Sequence, residues 1–496
     1  MTKRVVVFSL CAFTLLPVMG QDAIEAYKKQ KKKEFTTYVQ NKQQQLDEYR
    51  RKKNQEFAAY MEGHKWEAFD KKKAIEQPLE KDVPPVFFDE KEGQQEEKEF
   101  SVEIVPFTKP DTKPQPMPIA PIKENDETKG YSSFIYYGTT LKVRWGDLSS
   151  FHLQGNNERA MAKAYRQLTN AKYDNLLHDC LELRTQYDLC DWAYLQMLGA
   201  MASTVCRKGT NEAVFLQGLL FHQSGYAVRF AIDPADKKLH LLVRIIGSLY
   251  DHDQFVIDKT TWFSIEKTKS QKLHICDKVY EGEQSLRLDI NKLPKLQMQA
   301  SQSRIIKSES YSIKVNSMVN KNLIDFMNDY PTSFTNNNFL TRWAYYANTP
   351  VSKEIREKVY PQLKKYLQNA TEQMAVNILL NFVQTGFVYE YDSKVWGQDR
   401  AFFAEETLYY PFSDCEDRSI LFSHLVRDLL GLDVALIYYP EHMATAVCFT
   451  TPFAGDYVMI GNRKFIICDP TYIRASAGKT MPQYKNVKAQ AILCNR

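Results

Sequence analysis

The stretch SDCEDRSILFSHLVRDLLG, Ser413 to Gly431, reads as a polar turn, a cysteine at the mouth of an apolar helix, and a glycine able to take the left-handed conformation that ends it. Ser413 or Asp414 can cap the helix start. Cys415 would then lie among backbone N–H groups at the positive end of the helix dipole, where thiolate is favoured over thiol. Downstream, His442 lies in EHMATAV and Asp469 in FIICDPTYI, and both runs read as strands. Attacking sulfur, proton carrier and orienter of the imidazole are the three roles that nucleophilic acyl transfer requires.

The same order occurs earlier in the chain. GTNEAVFLQGLLFHQSGYAVRFAID, Gly209 to Asp233, is again a polar turn, an acidic residue, an apolar helix, a glycine and an alternating strand, which marks the two stretches as copies. After it, His240 in HLLVRII and Asp258 in QFVIDKTTW stand as the counterparts of His442 and Asp469. Asn211 stands where Cys415 stands, and an amide is no nucleophile. Simple structural persistence and a remnant peptide- or glycan-binding pocket are both open for this first copy.

Around Cys415, Asn322–Tyr330, Leu340–Ala347, Lys353–Leu367 and Thr371–Gly386 carry helical spacing. Val434–Tyr439, His442–Phe449, Tyr457–Ile460 and Lys464–Cys468 read as strands joined by short turns such as Gly461-Asn462. Helices first and hairpin-linked strands after argue an α+β domain with an antiparallel sheet. The order D-C-E-D into a helix ending L-L-G, then a strand histidine, then I-I-C-D-P-T, resembles the transglutaminase-like superfamily of papain-like cysteine enzymes in its secreted bacterial form. The resemblance covers about Ala375–Tyr472 and, degenerately, about Asn170–Trp262. It implies two tandem domains, each a helix packed on an antiparallel sheet, with Cys415 as nucleophile, His442 as base and Asp469 as the group fixing the imidazole. Met443 stands where that family usually carries an aromatic residue. Trp396, Tyr409 and Tyr410 could line the cleft, or be core.

The chain has 496 residues, enough for several domains, and 65 basic against 60 acidic residues, so no overall field points to nucleic acid. Lys3-Arg4, the apolar run Val5–Val18 and Val18-Met19-Gly20 make a secretory signal, too short for a confident span. Residues 1–20 are therefore expected to be cleaved and the product exported, to the periplasm or cell surface, with no transmembrane segment left. Eight cysteines remain after Cys11 is removed, too sparse for a disulfide framework and better read mostly as small buried apolar residues.

From Ala23 the sequence repeats every eleven residues: AIEAYKKQKKK, EFTTYVQNKQQ, QLDEYRRKKNQ, EFAAYMEGHKW, then a fading EAFDKKK. Ile24, Phe35, Leu46 and Phe57 fall at one phase, with Tyr27, Tyr38, Tyr49 and Tyr60 three residues on. Eleven residues in three turns keep them on one nearly straight stripe, suited to a coiled coil with a second copy or to a groove on another protein. The expected organisation is a helix over 21–77, a Pro-rich acidic linker over 78–128 in which Val86–Phe88 and Val102–Phe107 could dock, a degenerate domain over 129–300 and a Cys-His-Asp domain over 301–496. No HExxH, cysteine pair at ligand spacing, phosphate-binding glycine loop or dinucleotide motif occurs, so neither metal nor cofactor is expected. Three functions are open: a peptidase or amidase, a cross-linking transglutaminase, or a non-catalytic envelope scaffold.

Overall fold

The eleven-residue repeat forms one helix, α1 (Gln21–Gly63), whose two ends meet different surroundings. A computed structural model describes residues 21–78, 83–89, 97–107, 122, 124, 130–170 and 173–494. The expected signal peptide, the Ile24 side chain and the rest of the expected linker lie outside the described residues. Tyr27, Phe35, Tyr38, Leu46 and Tyr49 are exposed, whereas Phe57, Ala58 and Met61 are buried. The Phe57 ring packs on Tyr165, His222 and Tyr280, with centroids 5.1, 4.9 and 5.6 Å away. Asn54 exchanges hydrogen bonds with Gln223 and accepts one from the Tyr280 hydroxyl at 2.9 Å. The end of the helix is thus keyed into the body by a satisfied polar group inside an apolar contact. Phe57→Ala is expected to cost about 3–5 kcal/mol, because it leaves a cavity between α1 and the body. A lowered denaturant midpoint at unchanged m-value checks it.

The helix does not continue to residue 77. It ends at Gly63, and the fading fifth repeat is a strand, β1 (Glu67–Lys72), that closes a six-stranded barrel. Its backbone groups pair with two otherwise open sheet edges, a nonlocal satisfaction that overrides a weak helical period. The expected linker also contributes structure. β2 (Val86–Phe87), β3 (Glu99–Phe100) and β4 (Val102–Ile104) all pair with strands of the body, so both apolar islets dock.

The strands of the first barrel after β1 follow four helices, of which the first is α2 (Glu158–Leu168) and the last α3 (Asn211–Gln223). Its strands β5 (Val228–Ile232), β6 (Leu239–Val243), β7 (Gln254–Ile257), β8 (Thr260–Ser264) and β9 (Lys272–Ile275) lie in the order β1-β7-β8-β6-β5-β9. Later in the chain come α4 (Glu372–Gly386), α5 (Cys415–Leu430), β10 (Asp433–Tyr439), β11 (His442–Cys448), β12 (Tyr457–Ile460), β13 (Arg463–Cys468), β14 (Tyr472–Ile473) and β15 (Ala489–Leu493). The second sheet runs β3-β12-β13-β11-β10-β15-β4. Its five central strands repeat the order of β7-β8-β6-β5-β9, and each set follows a buried helix. β3 and β4, separated only by Ser101, occupy the two edges of this sheet, much as β1 bridges β7 and β9. The architecture is mixed α+β. One apolar core extends from Phe57 and the first barrel to Cys415, Leu436 and Met443. None of the eight described cysteines is in a disulfide. Among the described residues, no helix is long and apolar enough to cross a membrane.

Candidate active site

Cys415 is the first residue of α5, with Asp414 in extended conformation at the N-cap and Gly431 at φ +70° ending the helix. The Asp417 carboxylate accepts from the Phe402 N–H at 2.7 Å and the Asp414 N–H at 3.4 Å, tying the first turn to the loop before it. One turn beyond Cys415 on the same face, Ser419 Oγ donates to the Met443 carbonyl at 3.1 Å. That bond sets the cysteine end of α5 against the start of β11, where His442 lies. Cys415 is 6% exposed, and its thiol donates to Glu416 Oε2 at 3.1 Å.

His442 Nε2 is 2.9 Å from Asp469 Oδ2, and both side chains are buried. The other carboxylate oxygen of Asp469 accepts from the Thr471 N–H (2.9 Å), the Thr471 hydroxyl (2.8 Å) and the Tyr472 N–H (3.2 Å). Pro470 supplies the turn that folds the chain back onto that oxygen. Burial alone would raise the Asp469 pKa, but His442 and the Thr471 bonds outweigh it and hold the carboxyl below its ordinary value. An ionised Asp469 accepts a hydrogen bond from His442 Nε2–H, which fixes the tautomer in which Nδ1 is the unprotonated nitrogen. From α4, Gln384 Nε2 donates to the carbonyls of Asp469, Tyr472 and Ala475 at 2.8–3.0 Å and fixes this turn. The Tyr484 ring lies parallel to the His442 imidazole, 5° off and 4.9 Å away, so the imidazole is held on its face as well as its edge.

Tyr389 and Tyr484 lie close enough to Cys415 to feel its charge. Burial lifts both hydroxyl pKa values, and the charge of a Cys415 thiolate adds to each. Neither residue stood out in the sequence, because an isolated tyrosine carries no positional signal. Trp396 and Tyr410 instead build an aromatic cluster with Phe402 and Phe412, capped by the Arg400 guanidinium 4.2 Å from the Trp396 ring; Tyr409 packs on the Tyr410 ring.

Beside Cys415 is a group the sequence did not expose. Asp392, Asp399 and Glu416 bring carboxylate oxygens within 4.8 Å of one another, and the Oδ1 of Asp414, also buried, has no hydrogen-bond partner. Calcium binds oxygen at about 2.3–2.6 Å, so one such ion could touch all three. Arg342, 2.6 Å from Asp399, partly offsets the charge. Burial and then the neighbouring Glu416 charge push Asp392 up to about 9; burial, eased by Arg342, leaves Asp399 at about 6. A carboxyl whose folded pKa exceeds its unfolded value of about 4 holds a proton that the unfolded chain releases. Its stability contribution is therefore fully present below pH ~4 and is lost as pH rises to about 9. The melting temperature is expected to fall between pH 5 and pH 9, and the slope to flatten in Asp392→Asn/Asp399→Asn. Calcium is expected to raise it at pH 8 and not at pH 5. Thermal scans across that range check both.

No family model, curated protein or solved structure matches this chain.

The first barrel arranges its corresponding residues differently. Asn211 opens α3 as Cys415 opens α5, but its amide latches the β5–β6 hairpin, donating to the Lys237 carbonyl at 3.0 Å and accepting from the Leu239 N–H at 2.9 Å. His240 is buried, and its nearest carboxylate is that of Asp233, 4.0 Å from Nε2. Asp258 is not beside it. It lies in the exposed turn between β7 and β8, at φ +47°. Asp469 follows the far end of β13, where Cys468 pairs with Thr445. The same far end in the first barrel is Ser264, paired with Leu242, and Glu266, two residues beyond it, is a carboxylate whose charge acts on His240. The pairing of Asp258 with His240 is thus corrected: strand register, rather than the nearest aspartate in sequence, decides which residue faces the histidine.

Proposed function

We propose that this chain is an exported, cysteine-dependent acyl-transfer enzyme, a peptidase or amidase built on two tandem transglutaminase-like domains of which only the second keeps a nucleophile. The buried 2.9 Å hydrogen bond between His442 and Asp469, at the mouth of a strand pinned to the helix that Cys415 opens, carries the reading. His442 Nδ1 takes the thiol proton as sulfur attacks the carboxamide carbon. The oxyanion that forms meets the positive end of α5. The imidazolium then protonates the departing amine, leaving a thioester. Water, deprotonated by the same nitrogen, releases the acid and restores the thiol. An amine in place of water would make the protein a cross-linker.

Export rests on the first twenty residues, read as a signal. A non-catalytic envelope scaffold has its support in the first barrel, where an asparagine used as a latch replaces the cysteine. Iodoacetamide labelling separates the readings. Cys415 is expected to react faster than a model thiol, and Cys415→Ala to remove both the labelling and the release of products from a peptide library. Slow labelling together with unchanged peptide turnover in the variant would sink the enzyme reading.

A further inference from the structure

The exposed length of α1 has no role in this chemistry. From Glu25 to Tyr49 the helix runs almost wholly exposed for about 37 Å, with Phe35 and Tyr27 more than 60% exposed. The same phase of the repeat is buried where it reaches the body at Phe57. An apolar row of this length is ordinarily covered. Because eleven residues span three turns, the row scarcely precesses, and the occupant that stays in contact along it is a helix of the same period. This chain supplies one.

Charge selects how a second copy lies. Set parallel and in register, Lys28, Lys31 and Lys42 would each meet their own copies. Set antiparallel about a two-fold axis at Tyr38, Lys28 stands level with the partner's Glu48, Lys29 with the partner's Asp47, Lys42 with the partner's Glu34, and Tyr27 with the partner's Tyr49. Lys31 and Lys32 face glutamines, so no like charges oppose. We propose that Glu25–Tyr49 of α1 is the seam of an antiparallel two-fold dimer of this chain, centred near Tyr38. Such an interface is isologous and closes on itself, so it ends at two copies. Its acidic end lies beside Glu281, already bonded to Tyr49 and Lys53, which adds to the attraction for the partner's lysines.

Light scattering on the chain from Gln21 onward is expected to give twice the monomer mass. Lys28→Glu with Lys29→Glu, or Asp47→Lys with Glu48→Lys, should each weaken the dimer about tenfold or more by placing like charges opposite. All four substitutions in one chain should restore it, since the antiparallel pairs are then exchanged. Phe35→Asp with Tyr38→Asp should give a monomer whose body melts as before. A monomer at every concentration, or a dimer indifferent to the charge reversals as a parallel pair would be, overturns the proposal. So would association only with another protein or with anionic vesicles.

Discussion

Cys415→Ala is expected to lower amide hydrolysis by about 10⁴-fold or more while leaving the melting temperature within about a degree. The large effect follows from chemistry: alanine cannot form the thioester, and what remains is the helix terminus and substrate binding. The small effect follows from packing, because Cys415 sits at the edge of the core and the bonds that position α5 belong to Ser419, Asp417 and Arg418. Asp469→Asn is expected to lose about 10²–10⁴-fold with the cysteine intact, because an amide can present its N–H to His442 and reverse the tautomer. Steady-state rates on a responsive peptide, with iodoacetamide kinetics in parallel, check both. If the aspartate variant kept full activity, the assignment of His442 as base would fall.

Arg418→Ala is expected to cost about 3–5 kcal/mol, the largest stability loss near the site. Arg418 is 1% exposed, and its guanidinium donates to Ser413 Oγ (3.2 Å), the Gln384 carbonyl (3.0 Å) and the Phe387 carbonyl (2.9 Å). Desolvation pulls its pKa down to about 10, against the pull of nearby Tyr389, Asp414 and Asp417, so it remains cationic at neutral pH. Removing it strands three buried acceptors together. Arg418→Lys recovers charge but not the three-way fork, and should recover only part of the loss. Urea unfolding read by circular dichroism checks the order; equal stability of Arg418→Ala and the parent would contradict it.

The helical end of the site was legible because its signals are local. Asp414, Cys415 and Gly431 mark the start and stop of α5 within one residue, and the hairpin turning between Tyr439 and His442 follows from an alternating pattern and a short polar turn. The histidine and aspartate picked from the sequence lie in hydrogen-bond contact for the same reason, as each sits at the end of a clearly bounded strand. Gln384, Tyr389 and Tyr484 were not legible. Each reaches the site from a separate element, and nothing in its own neighbourhood distinguishes it from core.

By itself, then, the sequence determined the mixed α+β character, the repeat helix, the α5 boundaries and the order cysteine, histidine, aspartate, since caps, turns and hydrophobic period act over a few residues. Only the tertiary structure decided that the fifth repeat becomes a barrel strand and that the linker segment Glu99–Ile104 supplies both edges of the second sheet. It also decided that Asp233 rather than Asp258 lies near His240, and that Asp392, Asp399 and Glu416 converge. Each of these depends on backbone pairing or burial between distant segments, and such pairing is settled by which edges and cavities remain open once the rest of the chain has folded.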